Sequence, residues 1–191
     1  MITSEQVQAI YRDNIHEFVV QRELNDNGNY TIVFNMPSYI AHCVRKYTES
    51  IADHQYFELE KEQRLKGITK QIHDKEIETY RNNGISRIEL SAIEEGVCVW
   101  TRLDFQIVDT EQNKEEVLEI LNIYREYLGV ICFKDDPEKV DELMDGCKSI
   151  RDIVSDKMMP HTLHKKQGLD NFTDFLKKQK YAGLKMYKDL I

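Results

Sequence analysis

The chain has 191 residues, 41% hydrophobic and 31% charged, with 34 acidic side chains against 26 Lys and Arg and a formal net charge of −8. That length can bury a good-sized core, and eight Gly with three Pro exclude collagen-like, Pro-rich and Gly/Ser-linker classes. No window approaches 18 consecutive apolar residues and Met1-Ile2-Thr3-Ser4-Glu5 has neither a basic nor an apolar leader region, so neither a transmembrane helix nor a secretory signal is expected.

Thr3-x-x-Gln6 is a capping box, and Val7, Ile10, Tyr11, Ile15 and Phe18 recur at helical spacing, which predicts a first helix over about 4–23. Asn25-Asp26-Asn27-Gly28-Asn29 reads as a turn and Tyr30–Met36 as a strand. Pro37-Ser38 opens a second predicted helix whose stripe is Ile40, Cys43, Val44, Tyr47, Ile51 and His54. The stripe breaks over 55–66 and resumes with Ile68, Ile72, Ile77 and Tyr80, giving a long helical segment over 38–82 that Asn82-Asn83-Gly84 terminates.

Ile85–Ala92 reads as a strand, and Val97–Val108, where Val97, Val99, Thr101, Leu103, Phe105 and Ile107 alternate with Arg102, Asp104 and Gln106, as a long one. Asn113-x-x-Glu116 predicts a helix cap, followed by a stripe of Val117, Leu118, Ile120, Leu121, Tyr124 and Leu128. Val130–Phe133 reads as a short strand. Asp136-Pro137 starts a helix carrying Val140, Leu143, Met144 and Cys147, and Ser149 starts another. Asp170 is the predicted cap of a terminal helix bearing Phe172, Phe175, Leu176, Met186, Tyr187 and Leu190.

The fold class these elements predict is α+β. A small antiparallel sheet is flanked by an N-terminal helix and a C-terminal helical subdomain, and the strand–helix–strand–strand–helix–strand order over about 30–133 matches a ferredoxin-like βαββαβ arrangement. The predicted division is a core of 1–134 and a helical subdomain of 135–191 ending in a basic helix.

Four Cys, at 43, 98, 132 and 147, form no C-x-x-C and lie among apolar neighbours, so they read as reduced structural thiols of a cytoplasmic protein. His161-x-x-His164 could place two imidazoles on one turn, but adjacent Lys165 and Lys166 oppose a cation, so no metal and no other cofactor is predicted. His54 and His73 share helical faces with Glu58 and Glu76, and a hydrogen-bonded, partly buried His54 is expected. On a strand, Arg102, Asp104 and Gln106 would share one face about 7 Å apart. With Glu89 on the neighbouring strand, that face is the candidate centre of a metal-dependent nuclease or phosphodiesterase. No P-loop, Rossmann or G-x-S-x-G fingerprint is present.

Residues 157–191 carry eight Lys and three Asp, a net of +5, which leaves −13 on the rest. Lys177, Lys178, Lys180 and Lys185 of the terminal helix are therefore the alternative candidates for contact with nucleic acid. The acidic body supports a different expectation: a non-enzymatic module that binds another protein, as a regulator or inhibitor of a nucleic-acid-handling partner, through Glu58, Glu60 and Glu62. A second copy of the chain also remains open as a partner; a membrane does not.

Overall fold

At the start of the chain, local chemistry decides the structure. Gln6 donates its backbone N–H to Thr3 Oγ1 at 3.3 Å, and Thr3 donates its own to Gln6 Oε1 at 2.8 Å, the reciprocal capping box read from the sequence. It opens α1, Ser4–Arg12, which buries Val7, Ile10 and Tyr11. The computed structural model describes residues 2–12, 19–24, 30–35, 40–59, 67–155, 158 and 171–190. They group into two compact units, Met1–Leu90 with Tyr187–Ile191, and Ser91–Met186, a grouping that differs from the 134/135 division.

In the first unit the predicted helix over 4–23 is cut short. Val19–Leu24 is instead a strand, β1, paired antiparallel with β2, Tyr30–Asn35, in the register Val19↔Asn35 to Leu24↔Tyr30. The predicted turn at 25–29 lies outside the described residues. The helical segment expected over 38–82 is corrected over most of its first half. Ile40–Tyr47 (β3) and Ile51–Leu59 (β4) are antiparallel strands, β2 pairs with β3, and the β3–β4 ladder shifts register between Val44 and Arg45. A tight turn joins β3 to β4, with Thr48 N–H donating to Ile51 O at 2.9 Å and Ile51 N–H to Thr48 Oγ1 at 3.1 Å.

The helical reading failed here because the buried row of β3 is Cys43, Arg45 and Tyr47, a period of two that a charged residue in the middle conceals. Helix α2, Ile68–Asn82, is the part of the segment that is helical among the described residues. It serves as the crossover that a parallel pair requires: β5, Arg87–Ala92, runs parallel to β4 with Ile51↔Arg87 through His54↔Leu90 in register. The last residues of β7, Leu184–Asp189, lie along β5 in this unit, where Leu190 N–H donates to Ser86 O at 2.8 Å. The class is α+β and the sheet is mixed: β1 to β4 are antiparallel neighbours, β4 and β5 a parallel pair. The ferredoxin-like order is not confirmed.

In the second unit, the long strand predicted over 97–108 is a helix followed by a two-residue strand. Helix α3 is Gly96–Arg102 and β6 is Gln106–Ile107. Val97, Cys98, Trp100 and Thr101 are buried, a helical set that the apolar alternation also fits. Asp104, at φ 65°, closes α3 in the left-handed region. Its N–H reaches Thr101 O and that of Phe105 reaches Trp100 O (3.1 Å each), a Schellman closure sealed by the Trp100–Phe105 ring contact at 5.2 Å.

Helix α4, Glu111–Tyr127, starts one turn earlier than predicted, because the cap is Thr110, whose side chain accepts from Asn113 N–H at 3.2 Å. Asn113 is instead buried and binds β7, donating through Nδ2 to Lys185 O at 3.1 Å and accepting from Lys185 N–H at 3.3 Å. The strand predicted at 130–133 is a π-helical extension of α4, Leu128–Cys132. Two local predictions hold. Asp136 caps α5, Pro137–Asp145, and Ser149 caps α6, Ile150–Ile153.

The basic terminal helix is corrected as well. Asn171, not Asp170, caps a short helix α7, Phe172–Leu176, whose Phe172 ring packs between Tyr124 and Tyr127. The chain then turns at Gly183, at φ 87°, where a Cβ would sit 2.8 Å from Ala92 O, and enters β7.

Candidate functional site

Two regions of the molecule stand out, and they are opposite in kind. The first is a set of polar side chains drawn from α1, β3, β4 and α2 of the first unit. Arg45 on β3 and Glu76 on α2 form an ion pair at 3.0 Å, both wholly buried. Glu76 Oε1 also accepts from the Tyr11 hydroxyl of α1 at 2.7 Å, and Arg45 Nη1 donates to Tyr56 O at 2.7 Å and to Val44 O at 3.2 Å. The guanidinium stands over the Phe57 ring at 5.3 Å. Tyr47 and Tyr80 share a hydrogen bond of 2.9 Å between their hydroxyls, and His54 Nε2 lies 3.2 Å from the Tyr80 hydroxyl. His73 Nδ1 is 3.7 Å from Glu76 Oε2, and His73 Nε2 is 3.3 Å from Lys188 Nζ.

Burial opposes ionisation of Glu76, but Arg45, His54 and His73 around it together outweigh that cost and hold the carboxyl well below the usual carboxylate range. Burial, reinforced by Arg45, drives His54 well below its ordinary value, so it is neutral. Burial pushes the Cys43 thiol up to about 11, Cys147 to about 11 and Cys98 to about 12, which leaves all three protonated near neutrality and unreactive as nucleophiles. Arg45, Glu76, His54, His73, Tyr11, Tyr47 and Tyr80 are each at most 3% exposed. The cluster therefore fastens four elements together and offers no atom to a substrate.

The residues singled out from the sequence do not assemble into a reaction centre among the described residues. Arg102 ends α3, Asp104 occupies its left-handed closure and Gln106 begins β6, so the shared strand face does not exist. Asp104 is exposed and accepts from Arg151 Nη1 at 2.9 Å, while Glu89 is exposed on β5 of the other unit beside Arg87. No three His, Cys, Asp or Glu side chains among the described residues could hold a metal ion. Glu58 is half-buried on β4 and accepts from the Tyr56 hydroxyl at 3.2 Å; Glu60 and Glu62 lie outside the described residues, as do His161 and His164.

The four lysines are dispersed along the chain. Lys177 pairs with Glu95 at 2.6 Å, Lys178 follows α7 in a turn, Lys180 lies in the irregular segment after it, and Lys185 is on β7. They line no common helix. No helix among the described residues is long and apolar enough to cross a membrane.

The second region is the surface of α4. The predicted inward stripe of this helix is rotated: Ile120, Ile123, Tyr124 and Tyr127 are buried, whereas Leu118 is 61% exposed and Val117 and Leu121 are half-buried. With Ile107 and Val108 these side chains line a groove of about 410 Å³, edged by Asp109, Lys114 and Lys148.

Comparison with family models, curated proteins and solved structures returns no match.

The groove lies in the most acidic stretch of the chain. Residues 109–145 hold twelve carboxylates and four Lys or Arg, a net of −8, so the other 154 residues are neutral overall. Two signals for these regions were present in the sequence. Arg45 sits midway between Cys43 and Tyr47 in a strand-period row, and Leu118 is the stripe residue that lies nearest Glu111 and Glu115 around the helix.

Proposed function

We propose that this chain is a non-enzymatic protein-binding module and that its docking surface is the groove on α4. One observation carries the reading: a leucine in the middle of a well-formed helix keeps 61% of its surface in solvent, next to four partly covered aliphatic side chains. Burying such a side chain is worth about 1.5–3 kcal/mol, and the fold leaves that gain unused. The described titratable side chains that do converge are sealed from solvent, which favours binding over catalysis.

The test compares the wild-type chain with Leu118→Ser as bait for host proteins, followed by a binding titration with each purified protein that only the wild type retains. At an exposed position the substitution changes folding stability by less than about 0.5 kcal/mol. The expected result is an unchanged melting temperature and at least about tenfold weaker binding of a purified partner. If every purified partner binds both chains equally, the reading is wrong.

A further inference from the structure

We infer that the occupant of the α4 groove is a cationic amphipathic helix supplied by a partner protein. This inference rests on the docking reading above and adds the chemistry of the ligand.

The apolar floor of the groove on α4 is Val117, Leu118 and Leu121, an i, i+1, i+4 set that runs along the helix for about one turn. A strip of that shape suits a second helix laid alongside, which presents its own aliphatic side chains at i, i+3, i+4 and i+7. Beyond Leu118 the next row of α4 consists of Glu111, Glu115 and Glu119, all exposed. This row and the groove's own edge, Asp109, Lys114 and Lys148, together carry four carboxylates against two lysines; Lys114 is held by Asp109 at 3.2 Å and Glu111 at 2.7 Å, while Glu115 and Glu119 have no ion pair among the described residues. The nearby Arg125 is already engaged by Asp141 of α5.

Like charges at i and i+4 destabilise a helix, and this row contains two such steps in succession. Nothing in the packing of α4 requires them, since the buried residues are on the opposite side. Lysines or arginines flanking an apolar stripe would relieve that repulsion while the stripe covers Leu118. A nucleic acid or an acidic segment would meet the same row with its own negative charge and be repelled.

The experiment titrates the full chain, followed by fluorescence anisotropy, with three labelled peptides of equal length: a helical Leu/Lys amphipath, its Leu/Glu counterpart and a Ser/Lys peptide without an apolar face. The expected result is that the Leu/Lys peptide alone binds. Leu118→Ser should weaken it about tenfold, from the loss of one buried leucine. Glu115→Gln with Glu119→Gln should weaken it several-fold and flatten its dependence on salt, which screens such contacts over about 10 Å at 0.1 M. Glu49→Gln with Glu78→Gln, exposed acids of the first unit, should leave it unchanged.

Equal binding of the Ser/Lys peptide, or equal weakening by the Glu49 and Glu78 substitutions, would reduce the effect to net charge and overturn the inference. Leu118-dependent binding of the Leu/Glu peptide would overturn it while leaving the docking reading intact. So would self-association of the chain that Leu118→Ser abolishes. Binding of none of the three, with a monomer at every concentration, would sink both.

Discussion

The two units handle charge in opposite ways. The first takes an arginine, a glutamate and two histidines wholly inside and pairs the arginine with the glutamate there, so that Arg45, Glu76 and Tyr11 fasten β3, α2 and α1 to one another. The second displays its carboxylates along α4 and α5 and leaves beside them an aliphatic groove edged by Asp109, Lys114 and Lys148. A charge that has been desolvated and paired can fix an arrangement but cannot meet a ligand. A charge left in water contributes little to folding and remains available for binding.

The largest expected effect tests the sealed side of that comparison. Arg45→Met or Glu76→Leu alone strands a buried charge and should cost about 3–5 kcal/mol of stability. The double variant removes both charges, and its stability in urea unfolding should return to within about 1–2 kcal/mol of wild type. If the two losses simply add, the pair is not the fastening described here.

Acid should act on the same unit with a smaller effect. His54 is held below its ordinary 6.5 in the folded unit, so below that pH the unfolded chain takes up a proton that the folded unit refuses. Stability is therefore fully present above 6.5 and falls as pH drops. Glu76, held below its ordinary 4.5, adds a second loss as pH falls below that value. Hydrogen exchange at pH about 7.5 and about 5.5 should show first-unit amides losing protection before those of α4. Equal loss in both units would break the contrast.

The smallest effect belongs to Asp104. As the left-handed closure of α3 it should tolerate Asn or Gly, whereas Asp104→Ala should cost the second unit about 1 kcal/mol, read as a shift in the thermal midpoint. Its exposed contact with Arg151 adds little. A catalytic acid would rank the substitutions differently, with Asn and Gly as damaging as Ala in an activity assay.

Elements governed by nearest neighbours were legible in the sequence. The Thr3–Gln6 box, the Asp136 and Ser149 caps and the alternating strand β5 formed where they were predicted. Stretches whose apolar residues satisfy both periods were not. Residues 40–54 were predicted helical and pair as strands, and 97–108 was predicted extended and begins as a helix. The acidic excess was visible in composition, and the groove adjoins a different acidic stretch from the one chosen around Glu58.

What the sequence determined by itself is therefore the Thr3, Asp136 and Ser149 caps and the net charge, because a side chain bonding to a backbone group three residues away needs no other part of the chain. What tertiary structure decided is which apolar face turns inward and which charges are buried. Arg45 can leave water only because Glu76, thirty-one residues later, meets it, and Leu118 stays in water because Tyr124 and Tyr127 take the inner face of α4 against Phe172. Such choices depend on partners that are distant in sequence, and the energy that decides them exists only once those partners are in contact.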